Sequence, residues 1–305
     1  MKRFIVKILI FFSVVILIDF AAGLIFSKFV ENAKGGDNWR NNNIAYHIKD
    51  DILIFGSSRA IHHYNPKIIE DSLGVSCYNC GQDGNGIVLS YARIKMLQER
   101  YNPKMIVFDV TYDFDLKEDD KHRYLGWIKP YYDDFLSVRT TFEDVDPTER
   151  YKMLSNLYQY NSKFLQILSD AVYPMQPNGY KGYRPVQGIA TNVSEYDLVT
   201  SFSADSLKMK YWEDLMDKRG EIKYVFVVSP TLAGRNSERY KPLKDLCEVN
   251  GVDFHNMAND PKFVGNLSLF YDGSHLNSSG ADLFTKKMAG ILLHGTKNYT
   301  SKQDD

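Results

Sequence analysis

Three short runs of this chain, Asp51–Phe55 (DILIF), Met105–Val110 (MIVFDV) and Lys223–Val228 (KYVFVV), are apolar almost without interruption. A strand with one face in water alternates polar and apolar residues. An unbroken apolar run therefore predicts a strand buried on both faces. Such strands pair in parallel and need helices over both sides of the sheet. The intervening sequence supplies them. Pro66 suits a first helical turn, Ile68, Ile69 and Leu73 form one apolar face, and Gly74 ends the helix. Val75 to Asn79 reads as a second strand, and Ile87, Tyr91, Ile94 and Leu97 keep helical spacing. Asn102-Pro103 introduces the third strand, and Ser229-Pro230 stops the fourth. Tyr240 to Val249 predicts a helix and Val252 to Phe254 a short fifth strand. Ser279 is the expected cap of a last helix that turns Leu283, Phe284, Met288 and Leu292 inward. Strands alternating with helices predict an α/β fold with a parallel sheet.

Composition narrows the function classes. Lys and Arg total 37 against 38 Asp and Glu, so the basic excess expected of a nucleic-acid binder is missing. Three cysteines are too few for a disulfide scaffold. Cys77 and Cys80 flank a strand end, where three residues of extended chain span about 10 Å, beyond the reach of a disulfide. They are expected to be buried thiols, and Cys247 a core residue of its helix.

Residues Ile8–Phe26 (ILIFFSVVILIDFAAGLIF) form a run that, at about 1.5 Å per residue, nearly crosses a hydrocarbon layer of about 30 Å. Lys2, Arg3 and Lys7 precede it, which keeps the N-terminus cytoplasmic and sends the body across the membrane. Ala21-Ala22-Gly23 leaves a cleaved signal peptide open as the rival to a single-pass anchor. A buried helix of a soluble protein is the third reading. Asp19 is costly at membrane depth unless it is paired or lies near the interface. The expected organisation is a cytoplasmic tail (1–7), an anchor (8–26), an Asn-rich linker (27–50), a domain over 51–295 and a flexible tail (296–305). Residues 112–221 far exceed a parallel crossover and predict an inserted helical cap, helix-like over Tyr151–Val172. Its aromatics, among them Trp127, Tyr131, Tyr132, Tyr180 and Tyr183, either stack on sugar rings or form the cap's own core.

Ligands of open parallel sheets bind at the carboxyl ends of the strands, so the residues following each strand carry the chemistry. After the first strand comes Gly56-Ser57-Ser58-Arg59-Ala60, a turn able to present a Ser hydroxyl at a helix N-terminus. The second strand is followed by Asn79-Cys80-Gly81-Gln82-Asp83-Gly84-Asn85-Gly86, a source of backbone N–H donors or simply a tight loop. Before the last helix lies Asp272-Gly273-Ser274-His275-Leu276-Asn277-Ser278-Ser279-Gly280, where an Asp and a His three apart can pair. Arg59 either binds an anionic substrate group or pairs with an acid such as Asp83. His62 and His63 are expected to be solvated helix residues. No cluster has metal-ligand spacing, and no metal or cofactor is expected.

Taken together, GSSRA, NCGQDGNG and DGSHLNSSG resemble the nucleophile, glycine and Asp-x-x-His blocks of the SGNH (GDSL-like) hydrolase superfamily. The likeness covers Asp51 to about Leu293, less the insertion. It implies a flavodoxin-like three-layer α/β/α fold. It also implies Ser58 as nucleophile, His275 as general base, Asp272 as its orienter, and an oxyanion hole made of the Ser58 and Gly84 N–H groups with Asn85. The superfamily usually carries Gly-x-Asn-Asp after the third strand. This chain has Val110-Thr111-Tyr112-Asp113, so Tyr112 stands where the Asn donor would, and with Arg59 it is a candidate substrate contact. The anchor and the departures look like the branch of DltD- and alginate-acetylation-type proteins. That likeness implies an extracytoplasmic esterase or O-acyltransferase acting on acylated carbohydrate, or a degenerate module that binds glycan or an integral-membrane acyltransferase.

Overall fold

The computed structural model describes residues 1–174, 179–192, 202–217 and 221–300, and for 294–300 the backbone alone. Its strands are β1 (Ile52–Gly56), β2 (Cys77–Asn79), β3 (Met105–Asp109), β4 (Lys223–Val228) and β5 (Asp253–Asn256). The helices up to residue 115 are α1 (Lys2–Glu31), α2 (Gly36–Asn42), α3 (Ser58–His63), α4 (Pro66–Leu73), α5 (Ile87–Gln98) and α6 (Tyr112–Asp115). They continue as α7 (His122–Leu125), α8 (Leu136–Val145), α9 (Glu149–Lys152), α10 (Asn156–Asn161), α11 (Phe164–Val172), α12 (Ser206–Met216), α13 (Lys241–Asn250) and α14 (Ser278–Thr300). The chain forms two compact units, one of residues 1–47, 92–100 and 121–176, the other of 48–91, 101–120 and 177–305.

The second unit is built on a five-stranded, wholly parallel sheet in the order β2-β1-β3-β4-β5. Every residue of β1 and β3 is buried, as their unbroken apolar sequence requires. On one face Ile54, Val107 and Val225 pack with Ala60, Ile69, Phe284, Met288 and Leu292 from α3, α4 and α14. On the other, Phe108 and Phe226 close edge-on against Trp212 of α12, with ring centres 4.6 and 4.8 Å away. β5 is the polar edge and starts one residue later than its sequence suggests. Asn65 caps α4 through Lys67 N, Pro66 opens the helix, and Gly74 closes it in the left-handed conformation. At the start of α14 the cap is Asn277, whose Oδ1 accepts from Gly280 N at 3.0 Å, and not Ser279. Leu283 is partly exposed there, while its neighbours face the core. The backbone of α14 stays helical to Thr300, beyond the expected boundary of a frayed tail at 296.

The first unit corrects two expectations. Residues 27–50 are not a solvated linker. α1 runs on to Glu31, α2 follows, and Asn38, Arg40, Asn41, Ile44 and Ala45 are buried. The asparagines that suggest a linker are structural donors: Asn38 to Asp170 Oδ2 (2.8 Å), Asn41 to Trp127 O (2.8 Å) and Asn42 to Val30 O (2.6 Å). Nor is 112–221 one cap. Residues 121–176 belong with the N-terminal segment, whereas 112–120 and 177–221 belong with the sheet, where Trp212 Nε1 donates to Asp115 O. The stretch Tyr151–Val172 is broken into α9, α10 and α11. Tyr131, Tyr132 and Tyr183 are core residues, and Tyr180 donates to Glu70. α1 is long and apolar enough to cross a membrane.

Candidate active site

Parallel strands leave their carboxyl ends at one rim. The order β2-β1-β3 makes the connections from β1 and β3 diverge, opening a crevice there. Gly56 ends β1 with φ +134°, and a Cβ at that position would run into Asp109 O on the neighbouring strand. Only glycine makes so sharp an exit. The chain then enters α3, and Ser58 is its first residue, with an N–H that has no acceptor within the helix.

The loop between β5 and α14, a helix packed on the same face as α3, returns His275 to the same rim. Ser58 Oγ lies 2.8 Å from His275 Nε2. His275 Nδ1 lies 2.9 Å from Asp272 Oδ2 and 3.0 Å from Oδ1. Because the carboxylate accepts from Nδ1–H, Nε2 is left with a lone pair for the Ser58 hydroxyl proton. Asp272 Oδ1 also accepts Ser274 N and His275 N, both at 2.8 Å. Partial burial pushes the Asp272 carboxyl up, but the His275 ring and these N–H groups outweigh it and hold it below the usual carboxylate value. A hydroxyl, an imidazole and a carboxylate are thus joined in series, with Ser58 and His275 part-exposed on a cleft of about 300 Å³. Such a series can move the hydroxyl proton onto the ring as the oxygen attacks an electrophile.

The cleft is also lined by Thr111, Tyr112, Asp113, Thr231, Arg235 and Arg239. Tyr112 does not supply an amide-like donor: its hydroxyl donates to Ser203 O at 3.1 Å, and its ring lies 5.2 Å from the Arg239 guanidinium. Gly84 is exposed, and neither it nor Asn85 lines the cleft. Asn85 Nδ2 donates instead to Asp83 O at 2.7 Å.

Arg59 takes the acid-paired alternative, with a different acid, and His63 departs from expectation. Arg59 is buried, and its partner is Asp109 at 3.3 Å rather than Asp83, which pairs with Arg184. The Arg59 guanidinium also donates to Val110 O (2.5 Å), Thr111 Oγ1 (3.0 Å) and Ser229 O (3.3 Å), so its donors are spent on protein groups. His63 is fully buried, not solvated. Its Nε2 accepts Leu276 N at 3.0 Å, which leaves the proton on Nδ1 to donate to Ser229 Oγ at 2.8 Å. Ser229 in turn donates to Asp109, which accepts Tyr64 Oη at 2.7 Å. Burial raises the Asp109 carboxyl, while Arg59, Ser229 and Tyr64 pull it back. A buried polar chain therefore ties α3 to the ends of β3 and β4 and to the backbone next to His275. Sequence reasoning missed it. The available signal was Asp109, an acid inside a run otherwise fit only for the core, which has to have partners. His62 lies between these extremes: its Nδ1 donates to Arg184 O at 2.6 Å, and its ring stands edge-on to His275 at 5.6 Å.

Among the described residues, His122, Asp146 and Glu149 bring possible metal-ligand atoms within 4.8 Å of one another. Lys152 Nζ already lies 3.0 Å from Asp146 and 2.7 Å from Glu149, so a cation is built into that cluster. Cys77, Cys80 and Cys247 are buried free thiols. No protein-family model matches the chain, and no curated protein matches it either.

Proposed function

We propose that the chain is a serine-dependent esterase or O-acyltransferase with a flavodoxin-like fold of the SGNH type. It is held to a membrane by α1, with its body on the extracytoplasmic side. The observation that carries the reading is the Ser58–His275–Asp272 series at the carboxyl rim of the sheet. Ser58 Oγ attacks an ester carbonyl while His275 Nε2 takes its proton. The oxyanion rests on the Ser58 N–H. His275 then returns the proton to the departing alcohol, leaving an acyl-Ser58. Water or a sugar hydroxyl, deprotonated by His275, takes the acyl group and frees the serine. The resemblance of the three sequence blocks points to O-acetyl groups of envelope or extracellular polysaccharide as the substrate class.

The second reading is a non-catalytic module of the same fold that binds glycan or a membrane acyltransferase. Tyr112 in place of an Asn donor and the engagement of Asn85 with Asp83 favour it, since losing one oxyanion donor costs about 10²–10³ in rate. A fluorophosphonate and an acetyl ester, applied to the full chain and to Ser58→Ala, separate the two. The enzyme reading expects Ser58 to be labelled and ester turnover to fall by about 10⁴-fold or more in the variant. Equal turnover by both proteins refutes it.

A further inference from the structure

Apolar side chains of α1 are exposed from Phe4 to Ile25, with Lys7 and the half-buried Asp19 among them. At about 1.5 Å per residue this stretch is about 33 Å, enough to cross a hydrocarbon layer of about 30 Å. A span that starts after Arg3 has to continue to about Gly23 or Leu24. Over that same stretch α1 is already packed within its own unit. A Cβ at Gly23 would overlap the Asn156 side chain. Asp19 accepts Ser155 Oγ at 2.6 Å, Asn156 N at 2.9 Å, Asn156 Nδ2 at 3.0 Å and Leu157 N at 2.9 Å, so it caps the first turn of α10 from outside. Two turns beyond Asp19, Phe26 stacks on Tyr160 and meets Phe164 of α11 edge-on.

The start of α10 is therefore fixed at the depth of a residue inside the required span. The residues around it suit that depth. Leu154 is 81% exposed, Leu165 75% and Leu157 43%. An apolar groove of about 440 Å³ runs between Phe26, Leu157, Tyr160 and Phe164. Scattered exposed leucines need no explanation, but a contiguous set beside a spanning helix does.

We infer that Leu154, α10 and α11 lie in the interfacial layer of the same bilayer that α1 crosses, with lipid acyl chains as the occupant of this face. The inference rests on reading α1 as a membrane span. It gives Asp19 its role: the carboxylate sits near the hydrocarbon edge because four donors from the 155–157 turn are brought there to meet it. The chain is then held by a span and by a partly inserted face, as interfacial helices are.

The test uses the full chain in phosphatidylcholine nanodiscs, labelled with an environment-sensitive fluorophore at Leu9→Cys, Leu157→Cys or Leu165→Cys. All three native thiols are buried and do not compete. Lipids carrying shallow or deep spin labels, and aqueous iodide, serve as quenchers. The expected result is strong deep-lipid quenching at residue 9. At residues 157 and 165, quenching by the shallow lipid label and severalfold protection from iodide are expected. Lipid quenching at 9 with iodide access at 157 and 165 overturns the interfacial face and leaves the span intact. Protection from iodide without lipid quenching at 157 and 165 also overturns it, in favour of a second copy. Absence of lipid quenching at residue 9 refutes the span, and the inference with it.

Discussion

His275 and His63 sit with ring centres 6.4 Å apart, and each has one nitrogen bonded to a donor or acceptor that fixes its tautomer. Their settings differ in one respect. His275 gives its Nδ1 proton to a half-exposed acid and turns Nε2 to a hydroxyl on an open cleft. His63 spends both nitrogens on buried protein groups, Leu276 N and Ser229 Oγ, and has no path to solvent. The same side chain thus faces the cleft in one place and is locked into the core in the other. Solvent access and the second nitrogen's partner decide which. The buried ring holds the backbone that carries the accessible one.

Substituting the acid behind each ring breaks this comparison most strongly. Asp272→Asn destroys the acceptor for Nδ1–H, and ester turnover is expected to fall by about 10²–10⁴-fold, with little change in melting temperature. Asp109→Asn leaves the Arg59 guanidinium buried without its counter-charge, and a stability loss of about 3–5 kcal/mol is expected in denaturant titration. If Asp272→Asn unfolds the protein while Asp109→Asn leaves its stability unchanged, the two roles are reversed.

The smallest effect sharpens the comparison through pH. Burial, with the neighbouring Arg59, holds the His63 pKa well below the ordinary imidazole value. In the unfolded chain this His takes a proton below about pH 6.5, whereas in the folded chain it stays neutral. The unfolded state then binds more protons, so stability is full above that pH and falls on acidification. Relative to His63→Gln, the wild type should lose up to about 1.4 kcal/mol per pH unit below it. Taking the difference between the two proteins cancels buried acids such as Asp115, whose pKa burial raises to about 7. Parallel stability–pH curves for the two proteins contradict the assignment.

The sheet was legible because burial on both faces leaves an unbroken apolar run, and β4 spans Lys223–Val228 as read from the sequence. Ser58 was legible because Gly56 marks the turn at the end of β1, and Asp272 and His275 because they share a polar loop just before the last helix. The supporting network was not. His63 lies on α3 within a polar pair of histidines, and nothing local shows that the first faces Arg184 and the second the core. The packed segment 27–47 was also hidden. An asparagine that donates to a buried carbonyl reads, in sequence, like one in a solvated loop. The split of 112–221 between two units depends on pairings such as Trp212 with Asp115, which no periodicity encodes.

The bond from Leu157 to Asp19 joins residues 138 apart. At ordinary rates of translation, roughly 5–20 residues per second, on the order of ten seconds separate the two on the ribosome. During that interval the first helix is made but the turn that will meet its acid is not. On the proposed reading of α1 as a span, the nascent chain has to carry an unanswered negative charge into or beside the bilayer. A charge only a few residues from the end of the apolar stretch is one that water can still reach while it waits.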